Sequence, residues 1–132
     1  MRFMRVVRAP DLQRVRATLA SFPEAGIGIV ATVPAADGID IVASAVAIVA
    51  ADGTSCEFAI TVASEFGGVG LATALMTTLI DQARRRGLKE MEGFVLTQNQ
   101  SMLRLARRLG FRIASEPGDP TVRICRMTLN PP

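Results

Sequence analysis

With 132 residues, 49% apolar and 20% charged, the chain has the length and composition of one globular domain that buries a single core without disulfides or a structural metal. Its net charge of +3 comes mainly from arginines grouped at 84–86 and 104–108. Each group falls near the end of an expected helix, where the peptide dipoles favour cations, and Phe is the only aromatic residue, so composition argues against nucleic acid as a partner.

The first eleven residues alternate arginine with apolar residues and contain no continuous apolar run, which excludes a signal peptide or membrane span and points to the cytoplasm. From Pro10, the spacing of Leu12, Val15 and Leu19 predicts a short amphipathic helix closed by residues 21–26. Residues 27–34 and 39–50 are rich in Val, Ile and Ala, separated by a turn at 34–38. The Asp52-Gly53 dipeptide then turns the chain into a third strand, 56–63. These three strands read as an antiparallel meander.

Leu71, Leu75, Leu79 and Ala83, with Ala72, Met76 and Ile80, form the apolar stripe of a helix that ends at a run of arginines and Gly87. A strand at 91–96 follows, and Asn99 can cap a second helix whose expected inner face is Met102, Leu105, Ala106 and Leu109, stopped by Gly110. Both helices end alike, in basic residues, a glycine, then Leu88 or Phe111. Residues 111–114 and 121–129 read as a closing hairpin around a Pro/Gly/Asp-rich loop. Cys56 and Cys125 lie far apart in apolar, strand-like surroundings with no CxxC partner, so they read as free packing thiols in a reducing compartment; no metal site is expected.

The run Gly67-Gly68-Val69-Gly70 joins a strand directly to a helix. Amides at such a terminus have no intrahelical acceptor and lie at the positive end of the helix dipole, so a diphosphate can bind there without side chains, although the same sequence also serves as a plain structural joint. A P-loop would need Lys-Ser or Lys-Thr where Leu71-Ala72 stands, and a dinucleotide-binding loop would need a parallel βαβ unit with an acidic ribose ligand.

The segments CEFAITVASEFGGVGLATALM, RRRGLKEMEG and NQSMLRLARRLGF together resemble the cofactor-binding segments of the GNAT superfamily of N-acetyltransferases, most of all the GNAT domain of bacterial Pat-type protein-lysine acetyltransferases. The likeness spans residues 38–129. It implies an α/β (α+β) domain with a central mixed, mostly antiparallel sheet flanked by helices, in which 1–26 is an abbreviated N-terminal region and 27–129 the acyl-CoA-binding core. Acetyl-CoA or another short acyl-CoA is the implied co-substrate, and an amine, foremost a protein lysine, the acceptor.

Aligned on the family's pyrophosphate motif, Gly67 replaces the usual Gln or Arg, while Gly68, Val69, Gly70, Leu71, Ala72 and Thr73 carry the phosphate-facing turn. The resemblance further implies that the backbone of Ile60, Thr61 and Val62 pairs with the pantetheine arm, that two parallel strands splay apart beside it, and that Asn99 and Met102 stand near the reactive end. Asn99 also has a simpler reading as a helix cap.

Direct transfer needs a neutral amine, hence a proton acceptor, and the chain has neither His nor Tyr. Glu57 lies in an otherwise apolar strand, where partial desolvation would make it a stronger base, and it matches the glutamate proposed as base in Pat-type enzymes; its plain alternative is a solvated strand end. Ala106 stands where many family members have a tyrosine that protonates the departing thiolate, and Ser101 is an unsupported helper.

The resemblance implies a first strand and two helices before the meander, whereas about 26 residues precede it here: either Phe3 to Arg8 is a shortened first strand followed by one helix, or the chain begins midway through the domain. An incomplete acceptor wall would favour a large protein substrate, a homodimer partner that completes the site, or no catalysis at all. A catalytically silent acyl-CoA sensor and a small-amine acetyltransferase are the competing readings.

Overall fold

The computed structural model describes residues 16–22, 26–63 and 70–131. Among these residues seven strands, β1 (Arg16–Phe22), β2 (Gly26–Ala35), β3 (Gly38–Val49), β4 (Ser55–Val62), β5 (Glu90–Leu96), β6 (Arg112–Glu116) and β7 (Asp119–Thr128), form one sheet in the order β1-β2-β3-β4-β5-β7-β6. Helix α1 (Leu71–Arg85) connects β4 to β5, and α2 (Gln100–Leu109) connects β5 to β6. Every pairing is antiparallel except that of β4 with β5. This is the mixed, mostly antiparallel α+β sheet that the sequence implied.

The N-terminal segment departs from expectation. Arg16–Phe22 is a strand, not the second half of a helix, and pairs residue for residue with β2 from Arg16↔Thr32 to Phe22↔Gly26. Three apolar positions at helical spacing are a weak signal, and a ready-made β edge with matching register outweighs it. The remainder of that expected helix, and the shortened first strand read at Phe3 to Arg8, lie outside the described residues.

Along β2, β3 and β4, alternate residues face the core. Ile27, Ile29 and Ala31 align with Ala47, Ala45 and Ala43, which in turn align with Phe58, Ile60 and Val62. The alanines of β3 present almost no side chain, which lets α1 settle closely on the sheet with Leu75, Met76, Leu79 and Ala83 fully or nearly fully buried. Met91, Gly93 and Val95 continue the same buried face into β5.

Leu103 and Ala106 bring α2 onto this core, and the ring centroids of Phe58 and Phe111 are 5.2 Å apart beneath it. The expected inner face of α2 needs one correction: Leu103 is buried there, whereas Met102 and Leu109 are only half-buried. The helix is turned so that Met102 lies at its margin.

Both helices stop the same way. Leu88 and Gly87 amides donate to the carbonyls of Ala83 and Arg84, as those of Phe111 and Gly110 do to Ala106 and Arg107. Gly87 at φ 85° and Gly110 at φ 103° supply the left-handed turn this motif needs, and the buried Leu88 and Phe111 complete its apolar contact.

Candidate active site

The parallel ladder between β4 and β5 has three rungs, Ser55↔Glu90, Cys56↔Met91 and Glu57↔Glu92, and ends there although both strands continue. Beyond Glu57 the strands no longer pair, and a cleft of about 640 Å³ opens. Ile60 and Val62 of β4 form one wall and Gly70, Ala72 and Thr73 at the start of α1 form the rim. The opposite wall belongs to α2. A second groove of about 270 Å³, bordered by Glu57, Phe58, Phe94 and Leu96, shares Ile60, Asn99 and Met102 with the first, so the two form one continuous channel along the gap.

Gly70 caps α1 at φ 84° and has no side chain to accept from the helix amides. The Ala74 amide is the first to find a partner within the helix, donating to the Gly70 carbonyl at 3.1 Å. The amides of Leu71, Ala72 and Thr73 come before it and find no acceptor among the described residues, which leaves positive dipole ends at the rim of the cleft. The Leu71 side chain points into the core, so only its backbone is available to a ligand. Gly67, Gly68 and Val69 lie outside the described residues.

At the far wall, the Asn99 carboxamide oxygen accepts from the Met102 amide at 3.2 Å and from the Ser101 hydroxyl at 3.2 Å. That oxygen is committed to capping α2, and the Asn99 amide nitrogen is the part that remains for a ligand. Ala106, at the position where many family members carry a tyrosine, is fully buried in the core. Thr61 is exposed on the opposite side of β4 and does not line the channel.

Glu57 is exposed, on the sheet face opposite the helices. The burial expected around Glu57 is not found among the described residues, because alternation along β4 turns Cys56 and Phe58 inward and Glu57 outward. Its parallel neighbour Glu92 is held by Arg126, Nε to Oε2 at 2.9 Å, while no ion pair among the described residues engages Glu57. Exposed Phe94 and Leu96 flank it across the groove.

The alternation of β5 made that apolar flank readable in the sequence, but its position opposite Glu57 depends on the parallel register. Arg104 and Arg108 also line the cleft, although in the sequence helix-terminal charge is enough to account for them. The signal that finds them is the i, i+3, i+4, i+7 spacing of Ser101, Arg104, Leu105 and Arg108, all of which line the cleft.

The two cysteines are free and buried; burial pushes the Cys56 thiol up to about 11 and raises that of Cys125 as well, so neither offers a thiolate near neutrality. Among the described residues no group of three or more His, Cys, Asp or Glu could hold a metal ion, and no helix is long and apolar enough to cross a membrane.

A model of the acetyltransferase (GNAT) family matches residues 8–111. The chain belongs to this family. A relative, acetyltransferase PA5475 of Pseudomonas aeruginosa, is 40% identical over 74 residues, which cover 56% of this chain and 40% of that one. The GNAT domain of S. lividans PAT superposes with a TM-score of 0.69 at 22% identity, over 83% of this chain and 64% of that structure. The protein yncA of Salmonella typhimurium, solved with its cofactor acetyl-CoA, superposes with a TM-score of 0.66 at 24% identity, over 80% and 65%. The chain thus spans two fifths of the curated relative and just under two thirds of these structures.

Proposed function

We propose that the chain binds acetyl-CoA, or another short acyl-CoA, and transfers the acyl group to an amine, foremost a protein lysine side chain. The observation that carries the reading is the interruption of the β4–β5 ladder after Glu57, which opens one channel from the α1 terminus to the Glu57 groove. Family membership and the acetyl-CoA bound by the similarly folded yncA support the choice of ligand.

The amides of Leu71, Ala72 and Thr73 suit a diphosphate, since the first turn of a helix offers N–H donors at the positive end of its dipole. Past them, Ile60 and Val62 offer backbone groups that β5 does not use, and these suit the amides of a pantetheine arm. The reactive thioester then lies toward Asn99 and Met102, where the two grooves meet. Glu57 takes the ammonium proton from an acceptor that lies along Phe94 and Leu96, and a thiolate leaves without a dedicated acid because a thiol is already a good leaving group. The openness of the sheet face around Glu57 favours a bulky acceptor over a small one, and the two unbridged cysteines fit a cytoplasmic chain.

Calorimetric titration with acetyl-CoA, run beside a thiol-release assay on a panel of lysine peptides, tests both halves of the reading. Glu57→Gln is expected to keep the affinity for acetyl-CoA and lower transfer by roughly 100-fold or more. An unchanged rate removes Glu57 from the mechanism. The exposure of Glu57 is the observation that favours the second reading, a binding module without catalysis, which predicts heat on titration and no thiol released.

A further inference from the structure

The α2 wall of the cleft bears two charges that the reading above leaves idle. Arg104 and Arg108 stand one helical turn apart, both line the cleft, and both are exposed. Other arginines among the described residues are engaged: Arg85, Arg112 and Arg126 in ion pairs, Arg84 and Arg86 on the carbonyls of Leu129 and Gly26. Among the described residues no such partner is found for Arg104 or Arg108. Like charges at this spacing repel, and an anion held between them removes the repulsion.

The position of the pair along the channel identifies the anion. Asn99 and Met102 mark the end shared with the Glu57 groove, and Arg108 lies nine residues beyond Asn99, roughly 13 Å along the helix axis at 1.5 Å per residue. A ligand whose thioester occupies the shared end therefore carries its nucleotide toward the arginines. The diphosphate is already provided for at α1, across the cleft. Coenzyme A bears one more phosphate, a monoester on its ribose with close to two negative charges at neutral pH, whose oxygens suit guanidinium donors.

We propose that Arg104 and Arg108 form a phosphomonoester subsite that reads the ribose phosphate of coenzyme A. The subsite rests on the acyl-CoA reading, and it makes the chain discriminate coenzyme A from dephospho-coenzyme A, which differs only in lacking that group.

Calorimetry with these two ligands tests the subsite on three chains. The unaltered protein is expected to bind coenzyme A at least roughly tenfold more tightly, the effect of one or more charge-assisted hydrogen bonds. The double variant Arg104→Gln, Arg108→Gln loses that preference through weaker binding of coenzyme A, while its affinity for dephospho-coenzyme A stays nearly constant. Arg107→Gln removes the same type of charge from an exposed α2 position that does not line the cleft, and keeps the preference. Equal binding of both ligands by the unaltered chain overturns the subsite, as does a preference that survives in the double variant or disappears equally in Arg107→Gln. Absence of heat with either ligand instead sinks the acyl-CoA reading, and the subsite with it.

Discussion

A methyl group at Gly93 would run into the ring of Phe58, which lies flat over the glycine from the neighbouring strand. Phe58 is itself buried and packed on Phe111, so its ring cannot swing away. Gly93→Ala is expected to destabilise the fold by about 1–3 kcal/mol in denaturant titration, and adding Phe58→Leu should recover part of the loss by emptying the contested volume. A second residue-scale effect concerns Cys56. Burial raises its thiol from 9.0 to about 11, so the folded chain holds that proton after the unfolded chain has released it. Stability is complete below about pH 9 and falls as pH rises through 11; Cys125, raised in the same direction, adds to the fall. Thermal melts across that window should show a declining midpoint, and replacing both cysteines with Ala should flatten the decline. At this scale the sequence was informative about residue type and face but not about cover. The alternation Cys56, Glu57, Phe58 identifies Glu57 as facing away from its neighbours, yet whether that face meets solvent or another element depends on distant parts of the chain.

The cap of α2 separates two roles of Asn99 that its sequence position leaves together. Asn99→Ala removes the acceptor for the Met102 amide and should cost about 1 kcal/mol of stability. Asn99→Asp keeps an acceptor and adds a favourable charge at the helix start, so the melting temperature should hold. Under the proposed function the same Asp variant still weakens acyl-CoA binding, because it lacks the amide donor; unchanged affinity would leave Asn99 a cap alone. Both helices and their glycine stops were readable because helix caps are local chemistry, written within a few residues of the element they end. The segment Arg16–Phe22 was not, because its state is decided by β2, whose matching edge lies outside any local window.

The same division governs the molecule as a whole. Strand existence was legible along nearly the entire sheet, but no local pattern announces that β4 and β5 run parallel for three rungs and then part. The gap came only from resemblance to a family, and the cleft from the gap. A ligand seated there bridges β1 to β4 with β5 to β7, so acetyl-CoA in 100-fold excess over its dissociation constant should stabilise the whole chain by about 2.7 kcal/mol. A thermal-shift series against ligand concentration measures this, and a midpoint indifferent to acetyl-CoA counts against occupancy of the gap.

A sheet normally has vacant hydrogen-bonding rows only on its two outermost strands, and here the parting of β4 and β5 creates two more rows in its interior. An extended guest lying between them is received as an additional strand, recognised first by the rhythm of its donors and acceptors and only second by its side groups. It follows that an unfolded stretch of polypeptide is the natural competitor for this slot, and that an occupied slot shields the protein from pairing there with its neighbours.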